Sequence, residues 1–129
     1  MVYTIVYRSR ASANVDDKEI EKILKTARKA NAKNGITGIL IFKEGVFLQV
    51  LEGERSKVLD TINRIKEDIR HQDVTIIGDM IGSEKSFASW DMAFSSLEDL
   101  NLSWIEETLF NSNNEIDPHD LLANIKDAV

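Results

Sequence analysis

The chain has 129 residues, 43% of them hydrophobic and 29% charged, with no cysteine and a formal net charge of −6. These are the proportions of one globular domain with its own core, not of a disordered or fibrous chain. The acidic balance argues against nucleic acid or an anionic membrane as the main partner, and the absence of thiols removes disulfide frameworks, thiolate metal sites and cysteine nucleophiles.

The N-terminal stretch MVYTIVYRSR is too short and too interrupted for a signal peptide, and no apolar run approaches a membrane span, so the cytoplasm is the expected location. Within that stretch the β-branched and aromatic residues 2–9 predict a strand. ASANVDD follows as a loop, and Asp16 with Glu19 forms an acidic variant of a capping box. The helix it opens, about 17–33, gathers Ile20, Ile23, Leu24, Ala27 and Asn31 on one side. NAKNG closes it, with Gly35 suited to a left-handed turn. ITGILIF and VFLQVLEG are then two strands joined by the short connection KEG. A second helix, about 55–70, aligns Val58, Ile62, Ile65 and Ile69, with Leu59 beside them. VTIIGDMIG (74–82) is a fourth strand, and SWDMAFSS (89–96), alternating Trp90, Met92 and Phe94, a fifth.

The order β-α-β-β-α-β-β implies an α+β fold, a ferredoxin-like split βαβ sheet with one strand added and two helices on one face. In the third strand Phe47, Gln49 and Leu51 share one face while Val46, Leu48 and Val50 share the other. Both faces are apolar, so the second also needs a cover. Residues 98–129 offer one: Ser103 with Glu106, and Asp117 with Pro118, mark the starts of two further helices. The expected division is a sheet domain over 1–97 and a helical extension over 98–129. The capped segments to residue 127 favour a complete short protein.

No nucleophile triad, metal cluster or phosphate-binding glycine loop is recognisable, so the chain does not read as an enzyme. His71 and His119 are distant in sequence, and a histidine near a helix end is more often a surface residue than a ligand. Three internal polar residues form a pattern instead. Tyr7 lies on the first strand and Gln49 on the third, and a split βαβ sheet makes these the neighbouring central strands. Asn31 lies near the end of the first helix on its apolar side. A phenol and a carboxamide form a good hydrogen-bonded pair, with amide capacity to spare. Each alone is ordinary core chemistry; three together between two helices and a sheet indicate a slot for a planar, polar-edged ligand.

YRS after the first strand, NAKNGITGILIF, GVFLQVLEGE, RIKEDIRH and FASWDMAF, in this order and spacing, resemble the BLUF domain, the blue-light sensor using flavin. The resemblance runs over about residues 2–97, and the tail resembles the short BLUF proteins with two extra helices and no effector domain. It implies a flavin, FAD with FMN as the alternative, clamped between Ile23 and Ile65. Asn31 matches the family asparagine at the pyrimidine edge of the ring, and Tyr7 and Gln49 match the photoactive pair. Arg64, Asp68, Arg70 and His71 fall where family members hold the flavin tail; as helix residues, Arg64 and Asp68 are also spaced for a salt bridge, and Arg70 and His71 suit the C-terminal dipole. Trp90 and Met92 match the fifth-strand pair that reports the light state. Ala27 and Ala30 stand where several relatives carry polar residues, so one or two supporting hydrogen bonds are expected to be missing.

The resemblance thus implies a photoreceptor. Light drives an electron and a proton from Tyr7, the proton by way of Gln49, and Gln49 then rearranges to give a red-shifted signalling state. The output would pass through the fifth strand and the C-terminal helices to a downstream signalling protein with light-dependent binding, and homo-oligomers are expected. The rival is a ferredoxin-like module that senses a small ligand or assembles as a subunit without flavin. A hydrolase of acylphosphatase type is a third reading, by analogy of fold alone; it would need Arg8 and Arg10 in an anion loop after the first strand.

Overall fold

The structure of the protein is a computed structural model that describes residues 1–12, 15–43, 45–85 and 93–96, with 43 and 93–96 described through their backbone. The elements are β1 (Val2–Ala11), α1 (Asp17–Asn34), β2 (Thr37–Lys43), β3 (Val46–Gly53), α2 (Arg55–Glu67), β4 (His71–Gly82) and β5 (Ala93–Ser96). They form one five-stranded sheet in the order β4-β1-β3-β2-β5, antiparallel except where β5 runs parallel to β2. This is the expected ferredoxin-like sheet with an added edge strand. β1 and β3 are adjacent at its centre, and Tyr7 lies directly opposite Gln49.

Local chemistry sets the element ends. The Asp16 carboxylate accepts the backbone N–H of Glu19 at 2.9 Å, satisfying one of the free donors at the start of α1. Gly35 takes the left-handed conformation (φ 66°) that ends α1, and Gly45 does the same (φ 78°) in the β2–β3 turn. α2 ends earlier than its apolar stripe predicts, at Glu67 instead of residue 70. The Asp68 carboxylate accepts the backbone N–H of Arg70 at 2.9 Å, a side-chain turn that competes with continued helix. Ile69 is therefore 87% exposed rather than part of the stripe. Arg70 lies in the turn and His71 opens β4, so neither residue closes the helix.

The core fills the space between the helices and one sheet face: Tyr3, Ile5, Tyr7, Leu40, Phe47 and Leu51 from the sheet pack with Ile20, Ile23, Leu24, Val58 and Ile62. On the opposite face Val6, Ile39, Ile41, Leu48 and Val50 are also buried, in keeping with the apolar pattern on both sides of β3. The expected covering helices of residues 98–129, together with His119, Trp90 and Met92, lie outside the described residues. Among the described residues no helix is long and apolar enough to cross a membrane.

Candidate functional site

A cleft of about 140 Å³ lies between α1 and α2, floored by β3. From α1 it is lined by Ile23, Thr26, Ala27, Ala30 and Asn31, which recur at the spacing of one helix face. Thr61, Arg64, Ile65 and Asp68 line it from the side of α2, Gln49 and Leu51 from β3, and Arg70 and His71 from the turn into β4. Eight residues singled out in the sequence (Ile23, Asn31, Gln49, Arg64, Ile65, Asp68, Arg70, His71) thus meet around one space. Ile23 and Ile65 supply aliphatic surface from the two helices. Ala27 and Ala30 line the wall with small side chains, leaving room where larger ones would fill it.

Tyr7 lies beneath the cleft and is fully buried. Its hydroxyl is the one buried side-chain polar atom without a hydrogen-bond partner among the described residues. The phenol–carboxamide bond expected from the sequence is therefore not formed here, although the two residues face each other across β1 and β3. An unpaired buried hydroxyl costs roughly 1–3 kcal/mol. Burial pushes its pKa well above the ordinary tyrosine value, and the negative charge of Asp68 adds to the rise. Tyr7 is accordingly a neutral phenol with a proton to donate. Gln49 and Asn31, 4% and 2% exposed, carry neutral amides able both to donate and to accept.

The outer wall is built differently. Arg70 Nη2 donates to Asp68 Oδ2 at 2.7 Å and Arg70 Nε to Oδ1 at 3.0 Å, a two-point pair with each side chain about 25% exposed. The guanidinium beside Asp68 holds its carboxyl below the usual aspartate range. Arg64 does not pair with Asp68; its Nη2 donates to Thr61 Oγ1 at 3.2 Å, and Thr61 in turn donates to the Lys57 carbonyl at 2.8 Å. His71, expected at the surface, is instead 7% exposed. Its Nδ1 lies 2.9 Å from Ser9 Oγ in a hydrogen bond whose direction follows the imidazole tautomer. Its ring packs against Phe47 with centroids 4.9 Å apart. Burial lowers the His71 pKa, a trend that Asp68 opposes and Arg70 reinforces.

Sequence reading missed Thr26 and Thr61 in the wall and Ser9 behind His71. Thr61 carried a signal: it sits between Val58 and Ile62, at a position where a buried threonine satisfies itself on the carbonyl four residues earlier. Arg8 and Arg10 belong to β1 itself, and Arg10 reaches outward to Asp73 at 3.9 Å with both side chains largely exposed. The anion loop that an acylphosphatase needs is therefore not built from them.

The family model described as "BLUF: Sensors of blue-light using FAD" matches residues 2–93. The chain belongs to the BLUF family. BLUF domains bind flavin and act in blue-light signalling. The photoactivated adenylate cyclase subunit beta of Euglena gracilis is 38% identical over 74 residues, which cover 57% of this chain and 9% of that protein. The blue light- and temperature-regulated antirepressor BluF of Escherichia coli K12 is 34% identical over 74 residues, 57% of this chain and 18% of that one. The chain thus spans about a tenth of the Euglena relative and a larger but still minor part of the antirepressor. Among solved structures, the BLUF protein BlrB in its dark state superposes with a TM-score of 0.86 at 29% identity, over 99% of this chain and 97% of that one. A bacterial light-regulated adenylyl cyclase superposes with a TM-score of 0.78 at 26% identity, over all of this chain and 40% of that one.

Proposed function

We propose that this chain is a blue-light switch in which Tyr7 and Gln49 form the photoactive pair beneath an FAD held in the cleft. One observation carries the reading: the buried Tyr7 hydroxyl has no partner, and the residue directly across from it, Gln49, lines the cleft. The residues fit a flavin. Ile23 and Ile65 offer apolar surface from either helix, Asn31 and Gln49 offer donors and acceptors to a polar ring edge, and Arg64, Asp68, Arg70 and His71 stand along the outer wall.

When bound, a flavin would supply the blue-light absorption and a one-electron acceptor. Tyr7 is the donor on this chain, a phenol kept protonated by burial and by Asp68. A phenol that loses an electron becomes a strong acid, and Gln49 is the cross-strand amide able to relay its proton. When electron and proton return, Tyr7 is restored and Gln49 is left rotated or as its tautomer, with donor and acceptor exchanged at both ends. No atom is gained or lost at the close of the cycle; at most one proton has changed its position within the Gln49 side chain. The chain switches; it does not turn over a substrate.

The sheet gives this change a route outward. Tyr7, Gln49, Leu40 and Phe94 lie in one register row across β1, β3, β2 and β5. A new hydrogen-bond arrangement at Gln49 therefore bears on β5 through a single intervening strand, and Trp90 and Met92 immediately precede that strand. We assign residues 1–97 to sensing and 98–129 to output, with homo-oligomers and a downstream signalling protein as the receivers. Two states a few kcal/mol apart suffice to change partner affinity. The test is an absorption spectrum in darkness and under blue light. The expected result is a yellow protein whose flavin band moves reversibly to the red; a colourless protein that takes up no added flavin would instead favour the small-ligand module.

A further inference from the structure

The sheet order leaves β4 at one end, with β1 as its one strand neighbour among the described residues. The exposed large hydrophobic side chains among those residues, Met1, Ile69, Ile76 and Ile81, all gather along this edge. Ile76 and Ile81 belong to β4, Ile69 lies two residues before it, and Met1 precedes Val2, which pairs with Gly82 at its far end. The strand is not uniform along its length. From Gly78 to Gly82 it pairs with Val6 to Val2 in unbroken register, whereas two register shifts interrupt the half nearer His71. Bulges, proline and lysine are the usual means of closing an open edge to other strands. The bulged half has such protection. The regular half, GDMIG, contains neither proline nor lysine, and its one charge, Asp79, accepts the Tyr3 hydroxyl at 2.8 Å.

We propose that the Gly78–Gly82 edge pairs antiparallel with the same edge of a second copy of this chain, joining two sheets into one. The pairing gives the homo-oligomers assigned above their surface, and rests on that part of the reading. An open strand edge presents a series of backbone donors and acceptors that another extended strand satisfies. The edge itself meets that need. With Met80 on a two-fold axis, Gly78 lies opposite Gly82 of the second copy, and Asp79 opposite its Ile81. Facing residues then share a side of the sheet, as antiparallel pairing requires. No charge faces a like charge in this register. The contact covers Ile81 of both copies, which a single chain leaves exposed. A two-fold contact uses both edges at once, so assembly stops at the dimer. Two copies of net charge −6 repel at long range, which keeps so short an interface weak.

The experiment is sedimentation equilibrium of the full-length chain in darkness, with and without added FAD, for the wild type and three variants. The wild type should dimerise with a Kd on the order of 10 µM, and more tightly as salt screens the net charge. Ile81→Asp puts a carboxylate opposite each Asp79 and should weaken the dimer about tenfold or more. Ile81→Lys puts the opposite charge in the same place and should stay within about threefold of the wild type. Loss of the isoleucine alone would weaken both variants alike, so the split between them reads the register. Ile69→Asp adds the same charge at an exposed isoleucine beyond the bulged half and should leave the dimer unchanged. Ile81 is 57% exposed, so its replacement spares the fold of the single chain, which urea denaturation checks. Equal weakening by Ile81→Asp and Ile81→Lys, or a dimer that resists Ile81→Asp, overturns the assignment. So does a wild type that stays monomeric at about 1 mM, which would leave the edge to an extended segment of another protein. A reversible red shift in those same samples would keep the photoreceptor reading standing. Its absence beside a dimer that Ile81→Asp breaks would remove that reading and spare the edge.

Discussion

The floor and the outer wall of the cleft are both polar, but they solve opposite problems. On the floor Tyr7 and Gln49, with Asn31 of α1 beside them, are buried and uncharged, and the Tyr7 hydroxyl is left without a partner. On the outer wall Asp68 and Arg70 are charged and partly exposed, and they satisfy each other at 2.7 Å. The floor therefore holds a hydrogen bond still to be made, whereas the wall is complete by itself. A group with an unmet bond responds to whatever enters the cleft. A satisfied, solvent-screened pair mainly holds its own loop in place and contributes modestly to affinity. Response should reside in the floor and geometry in the wall, and substitutions at each can break that division.

The largest effect is expected at Tyr7. Tyr7→Phe should bind flavin and show no light-induced red shift, because the phenol assigned to supply the electron and proton is removed. It should also leave the stability of the flavin-free protein unchanged or raise it by about 1 kcal/mol, since the hydroxyl it deletes has no partner to lose. Difference spectra and urea denaturation read the two quantities separately. Gln49→Leu should be equally silent to light. A normal red shift in either variant would end the assignment of the photoactive pair. Next comes Asn31→Ala, for which flavin affinity should fall about tenfold or more through lost amide hydrogen bonds in a buried site; an unchanged Kd would move Asn31 out of the site. Smaller again is Asp68→Ala. It unpairs Arg70 and should cost about 1 kcal/mol of stability with only a few-fold loss of flavin affinity. If Asp68→Ala abolished the light response while Tyr7→Phe preserved it, the roles of floor and wall would be reversed.

Much of this division was legible in the sequence because it follows from short-range rules. The alternation in β3 puts Gln49 with Phe47 and Leu51, the ferredoxin-like order places β3 beside β1, and together these predict that Tyr7 and Gln49 face each other. The Asp16 cap and the glycine turns at Gly35 and Gly45 are likewise decided within a few residues. The wall was less legible. Ile69 extends the apolar stripe of α2 by four residues from Ile65 and so argues for a longer helix. One side-chain-to-backbone bond from Asp68 ends it instead. That bond turns Arg70 into the Asp68 pair and carries His71 into a strand beside Ser9, so a residue expected at the surface is buried. Periodicity does not encode a competition between one carboxylate and the next helical turn. Nor could the sequence show that the Tyr7 hydroxyl would lack a partner, which depends on side-chain geometry across two strands.

The wall also predicts how acid acts on the fold. Burial lowers the pKa of His71 below its ordinary 6.5, so the unfolded chain takes up this proton more readily than the folded one. His71 therefore contributes stability that is whole above about pH 6.5 and is lost as pH falls towards the lowered folded value. Asp68, depressed by Arg70, behaves in the same direction but in a lower window: its contribution is present above its ordinary 3.8 and lost as pH falls through the depressed value. Between pH 7.5 and 5.5 the loss should then come mainly from the histidine, at no more than about 1.4 kcal/mol per pH unit for one proton. Replacing the imidazole by the neutral amide in His71→Gln should lower stability at pH 7.5 through the lost Ser9 and Phe47 contacts, yet flatten the decline from 7.5 to 5.5 in urea midpoints. A decline as steep as in the wild type would mean that the imidazole is already solvated in the folded state, and that the wall is looser than the buried Ser9–His71 contact implies.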